Sequence, residues 1–181
     1  SAHHLEFYGQ SELETILERA SGLLQMGELP RAVVSAIAAR SRGTPRVALR
    51  LLRRVRDFAQ VRAAGRVTSP VVDEALRLEG VDALGLDDLD RKYLRTIGTT
   101  YGGGPVGLEA IAATMGDDAQ TLEDLVEPYL LQVGFLARTR QGRRLTESGA
   151  GYIGVDPRGG AASAPDLFAG SGASETDGTG G

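Results

Sequence analysis

With 181 residues and 19.0 kDa, the chain has room for one ordinary domain or two small ones. It has no cysteine and only two histidines, the adjacent His3 and His4, which excludes a disulfide scaffold, a thiol nucleophile and cysteine-ligated metal, and argues against a Ser-His-Asp triad. The net charge of −4 hides blocks: residues 1–30 sum to −4, 31–66 to +9, 67–134 to −9, 135–146 to +4 and 147–181 to −4. Nineteen of the twenty basic residues are Arg, whose planar fork suits phosphate better than the point charge of Lys. No apolar run approaches the roughly 18 residues that span a bilayer. With no basic-then-apolar leader, the expected location is cytoplasmic.

The first elements are helices with readable starts. Ser11-Glu12-Leu13-Glu14 reads as a capping box, opening a helix to about Gln25. Pro30 fits the first position of a second helix, to about Ser41. After the Arg42-Gly43 break, Thr44 can cap and Pro45 can start a third helix, to about Ala63. Val47, Ala48, Leu51, Leu52, Val55, Phe58 and Ala59 recur at helical spacing, with Arg46, Arg50, Arg53 and Arg54 off that face. Ser69-Pro70 starts a fourth helix that ends near Gly80. These four helices make a small domain, residues 1–80.

A second domain follows, residues 81–153. Gly85 to Thr99 reads as a helix, Gly102-Gly103-Gly104-Pro105 as a connecting turn, and Gly107 to Met115 as a short helix. Thr121-Leu122-Glu123-Asp124 opens another helix to about Val133, with a kink or an early first segment expected where Pro128 interrupts it. Phe135 to Arg138 and Arg143 to Thr146 read as two strands around a Gln141-Gly142 turn. Three helices and a hairpin are the winged-helix variant of helix-turn-helix. Residues 154–181, rich in Gly, Ser and Ala with scattered acids, cannot bury enough apolar surface to offset their ordering entropy, so a disordered tail is expected. The fold class is therefore mainly α: a four-helix domain, a winged helix with one β-hairpin, and a tail.

Catalytic machinery is not evident. No phosphate loop of the Gly-x-x-x-x-Gly-Lys-Ser/Thr type occurs, and Lys92, the only Lys, sits in a helix. No carboxylate pair or nucleophile–base set stands out, so the chain alone should not be a self-sufficient catalyst. Arg46 falls in the first turn of the third helix, where the helix dipole disfavours a cation. Either it is placed to meet an anion, or it is one solvated Arg on an Arg-rich face; spacing leaves both open. The helix from Thr121 to Val133 has no Lys or Arg and carries Glu123, Asp124 and Glu127, so phosphates would repel it. Arg138, Arg140, Arg143 and Arg144 all lie in the hairpin. If this domain binds DNA, the wing should do so, chiefly through backbone phosphate. The other reading is a protein–protein winged helix.

Six ordered segments carry a family resemblance: Leu5-Glu6-Phe7-Tyr8; Arg40-Ser41-Arg42-Gly43-Thr44-Pro45-Arg46; Arg50 to Ala59; Gly102 to Leu108; Glu127-Pro128-Tyr129-Leu130; and Gly134-Phe135-Leu136. Over residues 5–153 the chain resembles the C-terminal part of the RuvB family, bacterial AAA+ ATPases of Holliday junction branch migration. The resemblance implies an AAA+ small (lid) domain followed by a winged-helix DNA-binding domain, in an ATP-dependent DNA helicase of recombination, repair and the SOS response. It implies a large ATPase domain with Walker motifs before Ser1, and ATP with Mg2+ bound mainly there. It also implies a homohexamer around duplex or junction DNA, RuvA and RuvC as partners, and no membrane. By position, Arg46 matches the sensor-2 arginine and Tyr8 the tyrosine beside the nucleotide; both are ATP-binding. Arg138 and Arg143 match DNA-touching hairpin arginines, with Arg140 and Arg144 as further candidates. The family's Arg-Thr-Pro-Arg-Gly-Arg is here Arg138-Thr139-Arg140-Gln141-Gly142-Arg143, and an Asn near the sensor is here Leu49. The alternative is a non-catalytic winged-helix DNA-binding or regulatory module without an ATPase domain.

Overall fold

A computed structural model describes residues 6–156. The expected tail falls, beyond Asp156, outside the described residues, as do His3 and His4. The first four helices are α1 (Gln10–Leu23), α2 (Arg31–Ala39), α3 (Pro45–Arg62) and α4 (Ser69–Leu78). Their core is Leu13 and Leu17 of α1, Val33, Val34 and Ile37 of α2, Leu51, Leu52 and Val55 of α3, and Val72 and Leu76 of α4. Each such side chain contributes about 1.5–3 kcal/mol on burial. Helix α3 turns this stripe inward and leaves Arg46, Arg50, Arg53 and Arg54 exposed. Its start is as expected: Thr44 is the cap, its Oγ1 accepting from the Val47 N–H at 3.2 Å, and Pro45 takes the first position. The start of α1 differs. Gly9 is the cap and Ser11 lies inside the helix, because Glu12 reaches back to accept from the Gly9 N–H at 3.2 Å.

The second group comprises α5 (Asp88–Arg95), α6 (Leu108–Met115), α7 (Ala119–Thr121), α8 (Glu127–Gln132), β1 (Leu136–Thr139), β2 (Gly142–Leu145) and α9 (Glu147–Ile153). Asp118 rather than Thr121 caps α7, its carboxylate accepting from the Thr121 N–H at 2.9 Å. Helix α7 runs into α8 through a π-helical turn, Leu122–Val126. Pro128 explains the change of pitch: it has no N–H for the carbonyl one turn back, so the helix widens before it. The hairpin pairs Leu136 with Leu145 and Arg138 with Arg143. The triglycine connector is also a sheet edge. Val106 exchanges backbone hydrogen bonds with Arg143 (2.9 and 2.7 Å), and Gly103 accepts from the Leu145 N–H at 2.9 Å. Gly104, at φ +90°, passes so close to the Arg143 carbonyl that a Cβ would overlap it.

Sequence reading missed α9. Thr146 caps it, accepting from the Gly149 N–H at 3.1 Å. Its Ala150 joins Leu86, Tyr93, Leu94, Ile97, Ile111, Leu122, Val126, Leu130, Leu136 and Leu145 in a second core.

The turn between α2 and α3 links the two groups, alongside a hydrogen bond from Arg91 Nη2 to the Gly80 carbonyl at 3.2 Å. Arg42, at φ +54° between α2 and α3, sends its guanidinium across to the second group. There it pairs with the buried carboxylate of Asp90, donates to the carbonyls of Gly85 (3.1 Å) and Leu125 (3.2 Å), and lies 4.6 Å over the Tyr129 ring. Phe7 packs against the same ring, centroids 6.3 Å apart. Burial pushes the Asp90 carboxyl up to about 6, against the opposing pull of the Arg42 guanidinium.

Candidate nucleotide-sensing turn and DNA-facing wing

The turn before α3 assembles the first pair of expected residues. Its shape is fixed locally: Ser41 Oγ donates to the Ile37 carbonyl at 2.6 Å, and the Thr44 N–H to the Ser41 carbonyl at 3.0 Å. Gly43 accepts from the Tyr8 N–H at 2.8 Å, and a Cβ on Gly43 would stand 2.8 Å from the Phe7 ring. Tyr8 and Arg46 are thus brought to one turn, although 38 positions separate them in the chain. Tyr8 is 42% exposed, and Arg46 is exposed in a first helical turn that holds no acid. Among the described residues Arg46 makes no ion pair. An unneutralised guanidinium at the positive end of a helix dipole costs about 0.3–1 kcal/mol and is suited to an anion. The donor chemistry of this turn therefore fits a phosphate group. Leu49 is half-buried and adds no polar partner.

The wing is built around an acid that sequence reading counted, with Glu123 and Asp124, only as repelling phosphates. Glu127, in the first turn of α8, is buried. Its Oε1 accepts from Arg138 Nη2 at 3.0 Å and Arg143 Nη2 at 3.2 Å. Its Oε2 accepts from Arg143 Nε at 2.9 Å and from the buried Tyr93 hydroxyl. Arg138 and Arg143 face each other across the hairpin, where two like charges would repel. Glu127 beneath them offsets that repulsion. Its hydrogen bond raises the Arg143 guanidinium above its ordinary value, and burial, with the same acid, raises the Tyr93 hydroxyl.

This geometry reorders the expected DNA contacts. Arg143 is only 19% exposed and committed to Glu127; Arg138, 46% exposed, also stands 3.9 Å from Glu123. Arg140, at the turn, and Arg144, paired with Ala137, are exposed and make no ion pair among the described residues. The signal for Glu127 was present in the sequence. It falls on the inward stripe of Leu122, Val126 and Leu130, where an acid must be paired. Among the described residues no group of three or more His, Asp or Glu side chains could hold a metal ion. No helix there is long and apolar enough to cross a membrane.

A four-helix bundle with a Gly-Thr-Pro-Arg turn, joined to a winged helix, is the architecture of an AAA+ lid followed by a winged-helix module. The family follows from comparison with known proteins. Residues 8–82 match the RuvB AAA lid domain, and residues 83–154 match the RuvB C-terminal winged helix domain. The chain belongs to the RuvB family. It is 55% identical over 151 residues to the Holliday junction branch migration complex subunit RuvB of Synechococcus sp. strain WH7803, covering 83% of this chain and 41% of that protein. Identity to the Nocardioides sp. subunit of the same name is 51% over 152 residues, covering 84% and 42%. The solved structure of the Thermotoga maritima RuvB Holliday junction branch migration motor superposes with a TM-score of 0.79 at 47% identity, over 84% of this chain and 51% of that one. The chain thus spans about two fifths of the length of the curated relatives it matches.

Proposed function

We propose that this chain forms the lid and the DNA-gripping wing of an ATP-driven motor that moves Holliday junctions, acting as a homohexamer with RuvA, and with RuvC downstream, in the cytoplasm. The domains run from residues 1 to 80 and 81 to 153, with the tail beyond. ATP with Mg2+ supplies the free energy of phosphoanhydride hydrolysis when bound. This chain's part toward it is Arg46, set to reach a phosphate, with Tyr8 beside the nucleotide. By itself the chain should hydrolyse no ATP. The wing holds the duplex by its phosphates: Arg140 and Arg144 make the contacts, Arg138 shares itself between Glu127 and DNA, and Arg143 keeps the hairpin seated.

The observation that carries this reading is the double match to lid and winged helix, with a basic hairpin in which two of the three exposed arginines, Arg140 and Arg144, make no ion pair among the described residues. A salt titration of DNA binding on two unrelated duplexes tests it. Each phosphate neutralised contributes roughly −0.9 to the slope of log affinity against log salt. Arg140→Ala with Arg144→Ala should flatten the slope by about two units and weaken both duplexes alike. Arg138→Ala with Arg143→Ala should flatten it less and destabilise the fold more, because Glu127 is left stranded. An unchanged slope in the first variant, or strong preference for one duplex, would mean the wing is not a phosphate clamp.

A further inference from the structure

Arg42 stands four residues before Arg46, on the turn that also receives Tyr8. All of its hydrogen-bond partners belong to the other half of the molecule: both carboxylate oxygens of Asp90 and the carbonyls of Gly85 and Leu125. Tyr129 covers its flat face. Only a guanidinium has enough donors in one plane to fill that seat while also stacking on a ring. The backbone accommodates it with a positive φ, uncommon for a residue with a side chain. Asp90 is held in return, accepting from the Asp87 N–H at 2.9 Å at the start of α5. Leu125 lies in the π-helical turn and Tyr129 in α8, the helix whose Glu127 seats the hairpin arginines. An unbroken run of short contacts therefore leads from the Arg46 turn through Arg42 to α8 and on to the wing.

We infer that Arg42 is a positioning residue that makes the lid and the winged helix one rigid lever, so that a movement sensed at the Arg46 turn is delivered to the DNA-facing hairpin. The transmission role rests on the reading given under Proposed function; the mechanical role does not. Lysine keeps the charge but has no plane and no fork, so Arg42→Lys should cut the lever without unfolding either core. Asp90→Asn should loosen it from the other side.

Two measurements decide the matter. The first uses the 181-residue chain. Backbone amide relaxation and residual dipolar couplings should show both halves sharing one alignment in the wild type, and two in Arg42→Lys and Arg42→Ala, with chemical shifts of both cores kept. A single shared alignment in both variants would overturn the lever. The second uses a chimera in which this chain replaces the corresponding part of the Thermotoga maritima RuvB motor, with Arg46→Ala as the control that impairs ATP use itself. Arg42→Lys should leave the KM for ATP within about twofold and raise the ATP spent per base pair of junction movement roughly two- to thirtyfold. Unchanged ATP cost per step overturns the lever even if Arg46→Ala is inactive. A wild-type chimera that neither hydrolyses ATP nor moves junctions counts against the proposed function, and the alignment measurement still decides the lever.

Discussion

Glu127 shows how far one side chain's role depends on neighbours distant in sequence. It is buried, ionisable and surrounded by four donor groups from three side chains, so its net worth comes from being fully paired. Glu127→Ala would strand the Tyr93 hydroxyl and the half-buried Arg143. Arg138 is exposed enough that its share counts little. The expected loss is about 3 kcal/mol, read as a lower urea midpoint at unchanged slope. A loss under about 1 kcal/mol would mean the network does not hold the hairpin. Glu127→Gln keeps an acceptor for Tyr93 but releases both guanidiniums from their counter-charge. It should steepen the salt dependence of DNA binding by up to about two units, since Arg138 and Arg143 become available to phosphate. Stability and DNA affinity then move in opposite directions. Arg42 is the parallel case at the lid. In the sequence it is one Arg among ten between residues 31 and 66, and only the distant Asp90, Leu125 and Tyr129 give it a task.

At the scale of elements, what could be read ahead of the structure is what local chemistry decides. The start of α3 follows from Thr44 and Pro45 alone, since a cap and a first-position proline act within one turn. The apolar stripes of α3 and the alternation around Gln141-Gly142 set the bundle face and the hairpin in the same way. The ends of α1 and α7 moved by two or three residues because Gly9 and Asp118 compete with Ser11 and Thr121 for one set of free N–H groups, and only the folded chain chooses between them. Helix α9 was hidden by Gly149 and Gly151, poor helix formers whose presence has different causes. A Cβ at Gly149 would overlap the Phe135 carbonyl oxygen, so this glycine lets α9 lie against the strand entry. Gly151 is exposed with nothing near its Cβ position. Gly149→Ala should therefore destabilise the winged helix by about 1–3 kcal/mol, and Gly151→Ala should stabilise it by about 0.5–1 kcal/mol. Urea unfolding of the two variants checks the pair. Equal effects of one sign would mean α9 is not seated where the core requires it.

For the whole molecule, charge decides how tightly a single copy can hold DNA. The chain is net −4, and the helix that would enter the groove in a sequence-reading protein carries Glu123 and Asp124, with Glu123 standing 3.9 Å from Arg138 of the wing. Against that stand the exposed Arg140 and Arg144, with Arg138 partly withheld by Glu127. Two free guanidiniums correspond to a salt slope of roughly −2, so one copy should bind weakly and let go readily at physiological salt. Tight grip must come from number. Joining two copies with an added Gly/Ser linker of about 40 residues gives a reach of about 35 Å. The second wing then meets the same duplex at an effective concentration in the millimolar range. Fluorescence anisotropy on a duplex long enough for both wings should show the slope roughly doubling and the affinity rising by about 10² or more at low salt. On a duplex that admits only one wing, the tandem should behave as the single copy does. If the tandem gains nothing on the long duplex, the wings do not grip independently along one backbone, and the hexameric arrangement proposed for the motor would need another source of hold on DNA.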